Sequence, residues 1–388
     1  MKSGPSVRMF AISAPGLERI LASELNQIGA PDAAEIEGGV TFSGDHSLLY
    51  KANLSLRTAS RVVVRVAEFH ADSFHELERR AKRIRWDEYV SRGSRVRFRV
   101  TCRKSRLYHS DAVAERLAQA IVQQLGAVDV EPTTAESSED AEHTGETVAP
   151  SQLFIVRLNH DKCVVSADSS GLLLHRRGYR QASGKAPVRE TIAAAMVLSS
   201  GWDQRSPLVD PMCGSGTIAI EAALLARRIP PGLHRSFAFQ SWPGYNSSLW
   251  EATMAETVEG ALPSASGALL ASDRDDGGVK MARENAARAG VLEDIDFSIQ
   301  SISAIEPPPG PGWIITNPPY GIRVGERGPL RNLYAQFGRV LKEKAKGYTF
   351  AFLSADTNLE SMLRVPLEEV FRTRNGGIPV RLMKGRIE

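Results

Sequence analysis

Three short segments of this 388-residue chain carry side chains whose types and spacing could do chemistry. The first is Leu208-Val209-Asp210-Pro211-Met212-Cys213-Gly214-Ser215-Gly216-Thr217. An apolar strand ends in an acid, and a glycine-bearing turn then opens a helix. Glycines let a backbone approach a ligand closely, and a helix N-terminus offers free N–H groups. The segment is neither the Gly-Lys-Ser/Thr phosphate loop nor the GxGxxG dinucleotide pattern. Asp210 at the strand tip would repel a pyrophosphate and suits a ligand with a cationic centre or an amino group.

The second segment is Ala271-Ser272-Asp273-Arg274-Asp275. In a doubly wound sheet an acid at this place accepts hydrogen bonds from a ribose diol, roughly 20 residues beyond the glycine turn. Here Asp210 and Asp273 are 63 positions apart, so an insertion over 229–266 must separate them. Pro230-Pro231-Gly232 and Trp242-Pro243-Gly244 mark it as loop. The third segment is Trp313-Ile314-Ile315-Thr316-Asn317-Pro318-Pro319-Tyr320-Gly321. Its two prolines fix an extended backbone and free the Asn317 and Pro318 carbonyls from ladder pairing. The Asn317 side-chain oxygen and the Pro318 carbonyl can both accept from one exocyclic amine. Tyr320 offers a face on which a base can stack.

These segments need strand tips to sit on. From 187 onward, short apolar runs alternate with helical periods over 188–198, 217–227, 277–289 and 330–344. That alternation predicts an α/β, mainly parallel, doubly wound sheet, with a last strand over 378–383 as an antiparallel edge. The N-terminal half reads differently. Strands over 9–12, 39–42 and 61–66 with a helix over 16–28 make a small α+β unit, 1–70. A second unit, 71–170, has helices over 73–85 and 111–125, a strand over 95–100 and a hairpin over 153–168. A connector, 171–186, joins it to the C-terminal unit, 187–388.

Charge is segregated within a net +3. Residues 79–106 hold twelve Lys/Arg against Asp87 and Glu88, a net +10. The strand over 95–100 alternates, so Arg95, Arg97 and Arg99 share one face, and Arg103, Lys104 and Arg106 follow. Such density points to a polyanion, and nucleic acid is the commonest. Residues 131–150 are acidic, with almost no apolar side chains, and read as a disordered insert.

Taken together the segments resemble the THUMP-domain class I S-adenosylmethionine-dependent RNA guanine-N2 methyltransferases. Arg189-Glu190-Thr191, the Asp210–Thr217 turn and Asn317-Pro318-Pro319-Tyr320-Gly321 carry the catalytic likeness. Residues 73–102 and the run to His175-Arg176-Arg177-Gly178-Tyr179-Arg180 resemble the THUMP unit and its connector, and the insertion resembles the 23S rRNA branch. The resemblance implies a ferredoxin-like domain, a THUMP domain and a Rossmann-like methyltransferase domain. It implies S-adenosylmethionine as cofactor, held by Thr191, Asp210, Pro211, Met212, Cys213, Gly214, Ser215, Gly216, Thr217, Asp273, Arg274 and Ser301. Ser301 stands in Gln300-Ser301-Ile302-Ser303, where the family often has an acid that reads adenine. Asn317, Pro318, Pro319 and Tyr320 would be catalytic. Arg95, Arg97, Arg99, Arg103, Lys104, Arg106, Arg176, Arg177 and Arg180 would face RNA.

The implied reaction is methylation of a guanine N2 amine in 23S rRNA, with tRNA, or RNA binding by a vestigial enzyme, as the alternatives. A C5-pyrimidine enzyme needs a nucleophilic cysteine at its base, and Cys102, Cys163 and Cys213 are not placed for it. The eight histidines show no ligand spacing, so no metal is expected. No apolar run reaches eighteen residues and no signal peptide is evident, so a cytoplasmic location without membrane contact is expected. The acidic insert has too few apolar groups to offset its ordering cost. Deleting 131–150 should move the melting temperature by no more than about 2 °C in calorimetry.

Overall fold

The computed structural model describes residues 6–126, 128–130, 151–181, 188–320 and 327–388. The acidic segment 131–150, the end of the connector and Gly321 lie outside them. In the N-terminal half, β1 (Val7–Ser13), β2 (Ala34–Ile36), β3 (Gly39–Gly44), β4 (Ala59–His70), β5 (Arg95–Arg103), β6 (Asp129–Val130), β7 (Ser151–Asn159) and β8 (Lys162–Asp168) form one sheet. Its order is β2-β3-β1-β4-β8-β7-β5-β6. The two units expected from sequence therefore share a sheet, because β4 of the first pairs with β8 of the second.

Four helices, α1 (Glu18–Gln27), α2 (His46–Ser55), α3 (Phe74–Ala81) and α4 (Ser110–Leu125), cover one face of that sheet. Leu25, Tyr50, Leu77 and Leu117 pack there against Met9, Val64, Phe98 and Val156. Helix α2 escaped the sequence reading. Its start is set by Asp45, whose carboxylate accepts the Leu48 N–H at 3.1 Å, the usual N-cap role of a short acid.

The C-terminal half holds α5 (Glu190–Ser200), β9 (Leu208–Asp210), α6 (Thr217–Ala226), α7 (Ser247–Glu259), β10 (Leu269–Asp273), α8 (Asp276–Arg288), β11 (Ile295–Ile299), β12 (Trp313–Thr316), α9 (Arg327–Lys344), β13 (Thr349–Ser354), α10 (Thr357–Leu363), β14 (Glu368–Asn375) and β15 (Ile378–Arg386). The strand order is β11-β10-β9-β12-β13-β15-β14. Strands β9 to β13 pair in parallel, and β15 runs antiparallel to both β13 and β14. The last strand is thus antiparallel as expected, but it lies inside the sheet, and β14 takes the edge. The chain steps outward from β9 to β11 and returns to β12 on the other side. The crevice between the β9 and β12 tips is the switch point where such sheets bind ligands. No helix among the described residues is long and apolar enough to cross a membrane.

The insertion is more than loop. It contains α7, and its Phe237, Phe239, Trp242 and Trp250 sit in the core of the N-terminal half. The Phe239 ring stacks on Tyr50 at 4.5 Å, and the Trp242 indole N–H donates to the Gln152 side chain at 2.7 Å. A second tie is polar and fully buried. The Arg177 guanidinium donates to Glu221 of α6 at 3.5 Å and to the Arg57 carbonyl at 2.5 Å. The Tyr179 hydroxyl donates to the same Glu221 oxygen at 3.0 Å, and Arg57 reaches the Ile229 carbonyl at 2.7 Å. The Arg177 and Glu221 side chains are 2% and 0% exposed. Removing one partner of a buried pair strands the other charge. Arg177→Ala should cost about 3–5 kcal/mol of stability in urea unfolding.

Candidate active site

The β9 tip is built around a buried acid. Asp210 is 1% exposed; its Oδ1 accepts the Thr316 hydroxyl at 2.7 Å and the Met212 N–H at 3.3 Å. Burial pushes its pKa up to about 7, against the pull of those two hydrogen bonds. Thr316 is the last residue of β12, so this bond clamps the first and fourth strand tips of the parallel sheet together. The residue before Asn317 was not singled out from sequence, since a threonine in a strand carries no signal of its own.

The turn after Asp210 crosses to the next tip. The Gly214 N–H donates to Asp273 Oδ2 at 3.0 Å, and the Cys213 N–H to the Ser272 carbonyl at 2.9 Å. Gly214 and Gly216 have φ of +51° and +83°. That left-handed region suits glycine, and at Gly216 a Cβ would meet the Ala282 Cβ at 2.9 Å. Burial, with Asp210 and Asp273 nearby, raises the Cys213 thiol far above its ordinary range and disfavours its thiolate. Pro211 and Met212 lie in the turn, and Ser215 and Thr217 are buried at the start of α6.

Asn285 of α8 is a supporting residue that sequence reading missed. It is fully buried and donates to the Ser215 carbonyl at 3.0 Å. Its signal was one amide between the core alanines Ala282 and Ala286.

Asp273 does not cap α8. That role falls to Asp275, which accepts the Gly278 N–H at 3.2 Å. Asp273 instead accepts from the Gly214 and Asp275 backbones, and its carbonyl takes the Gln300 N–H at 3.0 Å. Arg274 is exposed beside it, and Ser301 is exposed beyond the β11 tip. Thr191 is buried in the first turn of α5, a helix packed on α6.

Asn317 follows β12 and is half-buried. Its Oδ1 accepts the Tyr320 hydroxyl. Asn375 at the end of β14 is hydrogen-bonded to that phenol in turn, and the Tyr334 hydroxyl donates to the Pro319 carbonyl at 3.3 Å. Tyr320 is only 7% exposed, with its ring in the main core of this half. The open stacking face expected of it is therefore not presented here; the phenol acts as a brace for Asn317. Pro318 is buried and Pro319 exposed in the same turn.

In the N-terminal half, Arg95 of β5 pairs with Asp129 at 2.9 Å, and Arg97 and Arg99 are half-buried on the sheet face away from the helices. Arg103 ends β5 and is exposed, as are Lys104 and Arg106 just beyond it, Arg106 pairing with Asp72 at 2.9 Å. The connector corrects the sequence reading. Arg177 is buried on Glu221, and Arg180 is held by Glu190 at 2.8 Å and by the Val188 carbonyl at 3.0 Å. Both serve the junction and neither faces outward; Arg176 is half-buried. His175 beside them is held neutral, its pKa lowered to about 3 by burial and by the surrounding arginines.

A seven-stranded sheet of this order, with acids at its first two tips and an Asn-Pro-Pro-Tyr turn at the fourth, defines a methyltransferase fold and site. The comparisons agree. The profile described as "RMKL-like, methyltransferase domain" matches residues 177–384, "RlmL ferredoxin-like domain" matches 8–63, and "THUMP domain" matches 71–168. The chain belongs to the RMKL-like methyltransferase family. It is 36% identical over 376 residues to "Putative RNA methyltransferase slr0064" of Synechocystis sp., across 97% of this chain and 95% of that one. The crystal structure of SMU.472, "a putative methyltransferase complexed with SAH", superimposes with a TM-score of 0.85 at 29% identity over 100% of this chain and 99% of the other. That of "a predicted N6-adenine-specific DNA methylase" from Listeria monocytogenes gives 0.83 at 30% identity over 99% and 97%.

Proposed function

We propose that the chain transfers the methyl group of S-adenosylmethionine to the exocyclic N2 amine of a guanine in 23S rRNA. The observation that carries this is the clamp between Asp210 and Thr316, which sets an Asn-Pro-Pro-Tyr turn beside an acid-lined glycine loop. RNA as substrate is supported by the THUMP match and by the name of the Synechocystis relative. The insertion resembling the 23S rRNA branch supports rRNA over tRNA.

The residues fit the cofactor. Gly214 leaves the loop backbone open, Asp210 would answer an ammonium group, and Asp273 with Arg274 stands at the second strand tip, as a ribose diol requires. Thr191, the 210–217 turn and Ser301 complete the set. S-adenosylmethionine supplies an electrophilic methyl group on a sulfonium. The chain's own task is to hold the amine. Asn317 Oδ1 and the Pro318 carbonyl accept its N–H bonds, which localises its lone pair toward the methyl group. An amide oxygen has two acceptor sites, so Tyr320 leaves one for the amine. Fixed acceptors of this kind supply catalysis by positioning.

Nucleoside mass spectrometry of cells with and without the gene tests the assignment. Loss of N2-methylguanosine from 23S rRNA supports it; loss from tRNA moves the substrate, and loss of N6-methyladenine from DNA refutes it. Asn317→Ala should keep the fold and the affinity for S-adenosylhomocysteine while lowering kcat by about 100-fold or more, as for loss of a transition-state hydrogen bond. Asp210 gives a pH signature. With its pKa raised to about 7, it is neutral in more acidic solution and cannot pair with an ammonium. S-adenosylhomocysteine affinity should therefore rise with pH up to about 7, by at most about tenfold per unit, and level off beyond. Calorimetric titration of Asp210→Asn should remove that dependence.

A further inference from the structure

The helices of the N-terminal half all lie on one face of its sheet. On the other face, among the described residues, no helix packs, and the register sets Phe10 beside Val63, Arg65 beside Ser166, Arg97 beside Leu153 and Arg99 beside Ile155. Phe10, Val63, Leu153 and Ile155 make a small apolar island there. Phe10 is nonetheless 1% exposed. Its roof is two guanidinium groups, Arg65 at 4.3 Å and Arg157 at 5.8 Å from the ring centroid.

Two like charges over one ring repel each other. Burial first, and Arg157 second, lower the Arg65 pKa to about 10, so Arg65 stays charged at neutral pH. The acids nearby are engaged. Glu68 pairs with Lys162 at 2.6 Å and touches Arg8 at 4.0 Å, and Asp32 accepts the Ser43 N–H at 3.3 Å. Arg65 donates sideways to the Ser166 hydroxyl at 3.0 Å. The pair opens onto a groove of about 530 Å³ rimmed by Arg8, Thr41, Asn159 and Lys162.

We propose that Arg65 and Arg157, stacked over Phe10, form a phosphate clamp through which the seam between the ferredoxin-like and THUMP units grips the RNA backbone. This rests on the RNA reading above and adds a contact that the basic stretch 79–106 does not contain. Planar guanidiniums match phosphate oxygens two at a time, and an anion seated between them cancels their repulsion. A polymer fits better than a lone phosphate. The same face continues through β8 and β7 to Arg95, Arg97 and Arg99 of β5. Neighbouring strands lie about 4.8 Å apart, so β1 to β5 span roughly 19 Å, room for several phosphates of one strand.

The test uses the full chain and a fluorescein-labelled single-stranded RNA of mixed sequence, read by anisotropy across salt concentrations. Arg157 and Arg8 are exposed, so Arg157→Glu and Arg8→Glu leave the core side chains in place, Phe10 losing only the more distant of its two guanidiniums. Melting temperature and S-adenosylhomocysteine affinity should match the parent. Arg157→Glu should lower the log–log salt slope by about 0.7 and weaken binding about fivefold or more at roughly 0.1 M salt. Arg157→Lys should recover part of that affinity, and Arg65→Gln should reproduce the loss. If charge reversal at Arg103, Lys104 and Arg106 abolishes binding while Arg157→Glu and Arg65→Gln keep the parent slope, the clamp is wrong and the RNA reading stands. If the parent protein binds this RNA with no salt dependence, both are wrong.

Discussion

Glu221 is the constraint on which the arrangement of the two halves depends. It is a carboxylate with 0% side-chain exposure in an otherwise apolar helix, a position that burial alone would penalise severely. Arg177 from the connector and Tyr179 two residues on make that position tolerable. Arg177 also holds the Arg57 carbonyl, and Arg57 returns to the helix that carries Glu221 through the Leu224 carbonyl at 3.2 Å. Three segments distant in sequence are thereby closed into one polar knot. None can leave without stranding a charge in a dry place. The aromatic arm of the insertion makes a second, apolar attachment of the catalytic half to the N-terminal sheet. Two independent ties of opposite chemistry resist both sliding and rotation.

The same logic operates on a smaller scale at the strand tips. Parallel strands fix their own register through the ladder, but loops beyond the last pair are free unless something ties them. Here the ties are polar and short. Asp210 holds Thr316, Asp273 holds Gly214, and the Asp273 carbonyl holds Gln300. The acids at the first two strand tips thus determine the shape of the crevice. This explains why Asp210 can be buried with no cation beside it among the described residues. Two hydrogen bonds compensate part of the desolvation, and the raised pKa accounts for the remainder.

Much of this was readable from residues alone. Alternation of apolar runs with helical periods announced the doubly wound sheet, and strand-ending acids announced the crevice. What sequence could not show was orientation. Arg95 and Arg177 look alike in a string of letters, yet one lines a sheet face and the other is sealed inside the junction. Burial of a cation depends on the carbonyls and carboxylates that fold around it, and those come from positions 57 and 221. The insertion misled for the converse reason. Its Pro-Gly pairs signal turns, and they are turns, but Phe239, Trp242 and Trp250 act only through a surface supplied by residues 50 to 152. Tyr320 misled through chemistry. An aromatic ring after two prolines suggests stacking, while its hydroxyl found Asn317 and its ring found the core.

Arg235 shows how far this principle reaches. It is largely buried, its pKa lowered to about 9 by burial and by neighbouring arginines. It donates to the carbonyls of Ser170, Leu172, Leu173 and Arg176. A guanidinium carries five N–H donors in a fixed fork, and this one spends the four on its terminal nitrogens on the backbone leaving β8. The segment 170–176 is thus shaped around a side chain from the catalytic half's own insertion. A flexible linker would let the two halves sample many separations. A backbone whose carbonyls are held by one rigid fork has far fewer, and its neighbours Arg177 and Tyr179 are already committed to Glu221. Any polymer gripped by the N-terminal sheet then meets the Asn317 turn at a distance set by the fold, so selection of the target base becomes a matter of geometry as much as of contacts to the base itself.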